Sequence, residues 1–163
     1  MKVDTTEITD LILDILHAKL TPMVSSSPGI GKSDIIRKIA ETYDLEPIVY
    51  TLSNRDIVDI IGFPTLVNNN TRSDTAPPLV FPIEGDTLPE GKKGWLLFFD
   101  ELPCAPPMLQ AGVYYLILDR MAGTKKLHPD VHCIAAGNLE TDNAVVNRLS
   151  TAMQSRLIHL ELE

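Results

Sequence analysis

Apolar side chains recur along this chain with two alternating periods. Ile8, Leu11, Ile12, Ile15, Leu16 and Leu20 follow the i, i+3, i+4, i+7 spacing of a helix that packs on one face, which predicts a helix over residues 4–20. Asp4, with Glu7 three residues on, has the form of a capping box at its start. A short strand at about Pro22–Ser26 follows. Ile35, Ile36, Ile39, Ala40 and Tyr43 make a second helical stripe between Lys32 and Tyr43, and the β-branched run Pro47–Leu52 predicts a second strand. Asn54–Ile61 reads as a short helix ending at Gly62-Phe63-Pro64. Trp95-Leu96-Leu97-Phe98-Phe99 has no polar position at all, the mark of a strand buried on both faces, and it stops at Asp100-Glu101. A helix from about Pro107 to Met121 is predicted from Leu109, Val113, Leu116 and Ile117, with Asp119-Arg120 as a solvated end. Val131–Ala136 is another buried strand and runs into Gly137-Asn138. A short helix at Asn147–Met153 and a strand at Leu157–Leu162 close the chain.

Strand, loop, helix and strand at this spacing form a βαβ unit, so the fold class is α/β with a parallel sheet. Residues 65–94 interrupt the alternation. Asn68-Asn69-Asn70 is a strong turn signal, and four prolines and three glycines follow before Trp95. The expectation is a small hairpin or irregular insertion within one domain, because both flanks belong to the same pattern. Its exposed tip is a candidate substrate contact.

The first strand and second helix are joined by Ser27-Pro28-Gly29-Ile30-Gly31-Lys32-Ser33, which fits G-x-G-K-[ST]. Glycines let successive backbone N–H groups converge on a phosphate, Lys32 can bridge the outer phosphates, and the Ser33 hydroxyl can ligate Mg²⁺. The helix that follows aims its N-terminal dipole at the same point. Residues Ser27 to Asp34 are therefore the expected nucleotide-binding segment. Ser26 stands where the longer pattern G-x-x-x-x-G-K-[ST] has its first glycine, so the turn lacks its most permissive residue.

In an open parallel sheet, ligands gather at the carboxyl ends of strands, which brings Asp100 and Glu101 beside this loop. Asp100 suits Mg²⁺, through water, and Glu101 suits orientation and activation of an attacking water. Asn138, also at a strand end, can hold the water or the γ-phosphate through its amide.

With 163 residues, 44% hydrophobic and 22% charged, the chain has the size and composition of a single soluble domain. No apolar run approaches the ~18–20 residues of a membrane span, and the acidic amphipathic start lacks the form of a secretory signal, so a cytoplasmic protein is expected. A net charge of −8 argues against a sequence-blind nucleic-acid binder. Cys104 and Cys133 lack partners at zinc-ligand spacing, and the four histidines are scattered; ordinary structural roles are expected for all of them.

The order of elements and motifs resembles the MoxR branch of the AAA+ ATPases over nearly the whole chain. Ser27–Ser33 looks like that family's Walker A; Leu97-Phe98-Phe99-Asp100-Glu101-Leu102-Pro103, with Ala105-Pro106-Pro107, looks like its Walker B and following turn. Ala135-Ala136-Gly137-Asn138 is similar to its sensor-1 strand end. Ala152-Met153-Gln154-Ser155-Arg156-Leu157 resembles the segment that carries an arginine finger. The resemblance implies a three-layer αβα P-loop core over residues 1–163, a five-stranded parallel sheet of order 5-1-4-3-2, ATP and Mg²⁺, hydrolysis, and a homo-oligomeric ring, usually a hexamer, that remodels protein partners. The catalytic set it implies is Lys32, Glu101, Asn138 and Arg156, with Arg148 ranked below Arg156 and with Ser33 and Asp100 at the metal.

Relatives continue past the position of Glu163 into a helical lid, so weak binding and little turnover are expected of this chain alone. The competing reading is a nucleotide-gated interaction module that exchanges partners with little or no hydrolysis. A small-molecule kinase is disfavoured because nothing after Ser33 suggests an acceptor site or lid.

Overall fold

A computed structural model describes residues 1–3, 7–27, 29, 31–138 and 149–162. The elements relevant to the site are β1 (Lys2–Val3), α1 (Ile8–His17), β2 (Thr21–Ser26), α2 (Lys32–Thr42), β3 (Leu45–Thr51), α3 (Val58–Ile61), β4 (Phe63–Val67), β5 (Arg72–Ala76) and β6 (Gly94–Asp100). They continue with α4 (Pro107–Tyr114), β7 (Met121–Ala122), β8 (Lys125–Lys126), β9 (Val131–Asn138), α5 (Thr151–Gln154) and β10 (Leu157–Leu162).

The main sheet is wholly parallel and runs β1-β10-β2-β9-β6-β3. Its five longer strands thus stand in the expected order 5-1-4-3-2. The difference is a sixth strand at the edge, Lys2–Val3, paired with Glu161 and Leu162. Two residues are too few to carry a period, so no pattern in the sequence could announce it.

The strand β6 is the spine of the sheet because all of its side chains up to Phe99 are buried. Successive side chains point to opposite faces. Trp95, Leu97 and Phe99 accordingly join a cluster with Leu109, Val113 and Leu116 of the α4 side, whereas Leu96 and Phe98 join a second cluster with Ile8, Ile12, Ile36 and Ile39. One sheet with a helical layer on each face is the three-layer α/β architecture that the alternating periods predict. Among the described residues, no helix is long and apolar enough to cross a membrane.

The boundaries differ from the sequence pattern at instructive places. The helix predicted to reach Met121 is α-helical only to Tyr114; Tyr115–Asp119 form a π-helical turn, and Arg120 is left-handed at φ 58°. Arg120 is not a solvated end. Its guanidinium donates to Val131 O at 2.7 Å and His128 O at 3.2 Å, tying the helix terminus to the start of β9. A tertiary partner thus ends the helix where the apolar stripe alone would continue it. Residues 63–76 form a hairpin, β4 against β5, whose turn residues Asn68, Asn69 and Asn70 all have positive φ. The helix at 54–61 shrinks to a single 3-10 turn and α3. The Asp4 half of the expected capping box lies outside the described residues.

Candidate functional site

The loop between β2 and α2 opens at the carboxyl edge of the sheet. Gly29 and Gly31 both adopt φ 86°, the left-handed region that a side chain disfavours, and Gly31 is the residue from which α2 starts. Asp34 and Ile35 donate their backbone N–H groups to Gly31 O, so the first turn of α2 is formed directly behind the loop. Pro28 and Ile30 lie outside the described residues. Ser33 is exposed at the first turn, and Asp34 turns to an exposed ion pair with Arg37 at 3.1 Å.

Lys32 is the centre of the arrangement. Its Nζ donates to Ser26 Oγ at 3.0 Å and Asn138 Oδ1 at 3.0 Å, with the carbonyls of Ser26 and Gly137 at 3.3 Å each. Register explains the meeting, for Ser26 and Asn138 are paired neighbours at the ends of β2 and β9. Lys32, the first residue of α2, reaches back across both strand ends. Of the expected site residues, Lys32 and Asn138 are therefore in direct contact.

Asp100 and Glu101 emerge from β6, the strand on the other side of β9. Asp100 Oδ1 accepts the Glu101 N–H at 2.9 Å, and Glu101 itself sits at φ 59°, ψ 32°. This left-handed residue turns the chain sharply out of the strand, which a non-glycine residue adopts at a cost. Burial pushes the Asp100 carboxyl above the usual carboxylate range and the nearby charge of Glu101 adds to this; the Glu101 N–H and the positive charge of Lys32 oppose it. The Asp100 carboxylate, half-buried at the strand end, and the exposed Ser33 hydroxyl are oxygen donors of the kind a hard cation takes. Mg²⁺ takes one or two such protein ligands and leaves its other positions to water and phosphate. By donor chemistry, Ser33 and Asp100 are the residues here that would hold such a metal.

The turn after Glu101 is pressed against the strand end. A Cβ at Gly137 would lie 2.4 Å from Pro103 Cδ and 2.5 Å from Pro103 Cγ, so only glycine admits the Pro103 ring beside Asn138. Cys104 follows in the same turn, and burial, with the charges of Glu101 and Asp100, raises its thiol above the ordinary range.

Arg156 lies elsewhere. Thr21 pairs with Leu157 and Ser26 with Leu162, so Arg156 precedes β10 at the opposite edge of the sheet, farther from the loop than the five strand steps, about 16 Å, between Leu157 and Leu162. It is exposed and lines a cleft of about 640 Å³ with Lys19, Arg120 and His132. Arg156 therefore does not sit beside its own Lys32. Glu161 lies five residues further on, about 16 Å along the extended strand that Arg156 precedes. Arg148 lies outside the described residues.

The sequence pattern announces the loop lysine, the strand-end amide and the paired carboxylates, but not the hydrogen bond from Lys32 to Ser26. A hydroxyl at a position that the motif reserves for glycine was the available signal. Gly137 was also missed as a packing requirement, and nothing in a single sequence links it to Pro103.

Neither a protein-family profile nor a curated protein sequence matches the chain. Among solved structures, it is similar to a protein described as a "putative ATPase" from Cytophaga hutchinsonii, with a TM-score of 0.66 and 15% sequence identity. The likeness covers 97% of this chain and 46% of that one, so the chain spans about half the length of its structural neighbour. The chain shares the fold of that protein.

Proposed function

We propose that this chain is the ATP-binding and ATP-hydrolysing core of an AAA+ ATPase of the MoxR type, which acts on protein partners when assembled in a ring. The single observation that carries the reading is the Lys32 ammonium bonded to Asn138 at 3.0 Å, with the Asp100–Glu101 turn on the adjoining strand. Loop lysine, strand-end amide and paired carboxylates are thus carried by the start of α2 and the ends of the adjoining strands β9 and β6, at the mouth of a glycine loop. The similar fold of a protein described as a putative ATPase supports the same reading.

In this reading the backbone N–H groups of Gly29 to Ser33 and the first turn of α2 cradle the phosphates. Lys32 exchanges its oxygen partners on β2 and β9 for oxygens of the outer phosphates. Ser33 and Asp100 hold Mg²⁺, which, when bound, draws charge from the phosphate oxygens and the leaving group. Glu101 orients water and accepts its proton as oxygen attacks the γ-phosphorus, with ADP leaving. Asn138 fixes the water or the γ-phosphate through its amide. Arg156, remote from its own Lys32, serves the nucleotide of a neighbouring subunit, where an arginine supplied in trans contributes about 10³–10⁵ in rate.

The test uses a form extended beyond Glu163 that assembles. Glu101→Gln should retain ATP binding and lose roughly 10²-fold or more in hydrolysis. Arg156→Ala should bind ATP and hydrolyse poorly, and mixing the two variants should restore activity at interfaces that combine an intact Glu101 with an intact Arg156. Unchanged hydrolysis in Glu101→Gln would remove that residue from the chemistry. Co-assembled variants that show no recovery would remove Arg156 from it.

A further inference from the structure

Among the described residues, four oxygens stand around the Lys32 ammonium with its three N–H bonds. The two short contacts, at 3.0 Å, are to the side chains of Ser26 and Asn138, and the two longer ones, at 3.3 Å, are to the carbonyls of Ser26 and Gly137. Ser26 is fully buried, and its own hydroxyl hydrogen is directed at Ser27 O, 3.1 Å away. Its lone pairs are thereby turned to Lys32. With that geometry the hydroxyl acts on the lysine purely as an acceptor, a role that a glycine at this position cannot fill.

We propose that Ser26 is a positioning residue that holds the Lys32 ammonium back against the ends of β2 and β9, and so lowers the affinity of the loop for di- and triphosphates. The inference rests on the phosphate-binding reading of the loop. A polyphosphate recruits Lys32 by drawing it from acceptors it already has, and the Ser26 hydroxyl, at 3.0 Å, is one of them. The carbonyl acceptors belong to the backbone, and Asn138 is itself a candidate phosphate contact. Ser26 is thus the one side chain in the set whose only interaction with Lys32 is retention. Losing one hydrogen bond of ordinary net strength from the unliganded protein corresponds to binding tighter by about three- to tenfold.

Calorimetric titration of the 163-residue chain with inorganic pyrophosphate and Mg²⁺ tests this, with thermal melts to verify that each variant is folded. Ser26→Ala and Ser26→Gly should both bind about three- to tenfold more tightly than wild type. Ser26→Thr, which restores the hydroxyl, should bind as wild type does. In a Lys32→Ala background the Ser26→Ala change should restore no binding. Should Ser26→Ala not fold, Ser26→Gly gives the same readout without a side chain to accommodate. Wild type that binds through Lys32, with Ser26→Ala and Ser26→Gly equal or weaker, overturns the proposal and leaves the phosphate loop standing. A gain that persists without Lys32 overturns it as well. Binding by no variant, or equal binding by Lys32→Ala and wild type, removes the phosphate-loop reading and the Ser26 proposal together.

Discussion

Replacing Gly137 by Ala adds one methyl group at the point where the turn after β6 meets the end of β9. That carbon would approach Pro103 Cδ to 2.4 Å, Pro103 Cγ to 2.5 Å and Met23 Cε to 3.1 Å. Carbon atoms in contact prefer about 3.5–4.0 Å, so the overlap with the proline ring is about 1 Å. Met23 can swing its terminal methyl aside. Pro103 cannot, because its ring is closed and its backbone lies in the 3-10 turn that Glu101 begins. Either the turn moves or β9 does. Overpacking of this kind costs about 1–3 kcal/mol, which in a chain of this size lowers the melting temperature by about 2–4 °C per kcal/mol. Because Glu101 and Asn138 flank the clash, the same change should also weaken nucleotide binding or hydrolysis. Urea unfolding measures the stability, and a companion Pro103→Ala variant completes a cycle in which Gly137→Ala costs clearly less once the ring is gone. A loss below about 0.5 kcal/mol, or the same loss with and without Pro103, would refute the close packing of turn on strand.

Two further outcomes follow from the carboxylates. Glu101→Gly should stabilise the fold by about 1 kcal/mol, since glycine adopts the φ of 59° without strain, while it abolishes hydrolysis in an assembling form; a melt and a phosphate-release assay check both halves. Asp100→Asn should raise the melting temperature at neutral pH, because burial holds the folded-state pKa of Asp100 above its unfolded value and the ionised form is therefore the one the fold disfavours. The gain should be present above the folded pKa and vanish as pH falls through it to the unfolded value, so melts compared at pH 7 and in acid read the sign directly.

Much of this architecture is legible in the sequence because period and burial are tightly linked. An uninterrupted apolar run such as Leu96–Phe99 has to be a central strand, and helical stripes such as Ile8, Ile12 and Ile15 have to face a sheet. The loop lysine and the strand-end carboxylates are legible for a different reason, since phosphate chemistry restricts residue type and spacing. What the sequence conceals depends on contacts that the chain makes when it folds back on itself. Arg120 ends a helix by bonding carbonyls of the next strand, Gly137 makes room for Pro103, and Ser26 meets an ammonium from six residues on. The π-helical turn before Arg120 and the two-residue strand at Lys2–Val3 have no period of their own to read.

The central claim is that Lys32 and its loop bind nucleotide phosphate. Its most direct test is calorimetric titration of ATP with Mg²⁺ into wild type and Lys32→Ala, with melts to establish that both are folded. Saturable binding by wild type that is lost in Lys32→Ala is the predicted result, since the ammonium is the one mobile full positive charge expected among the dipoles of the loop. Equal affinity in the two proteins would contradict the account.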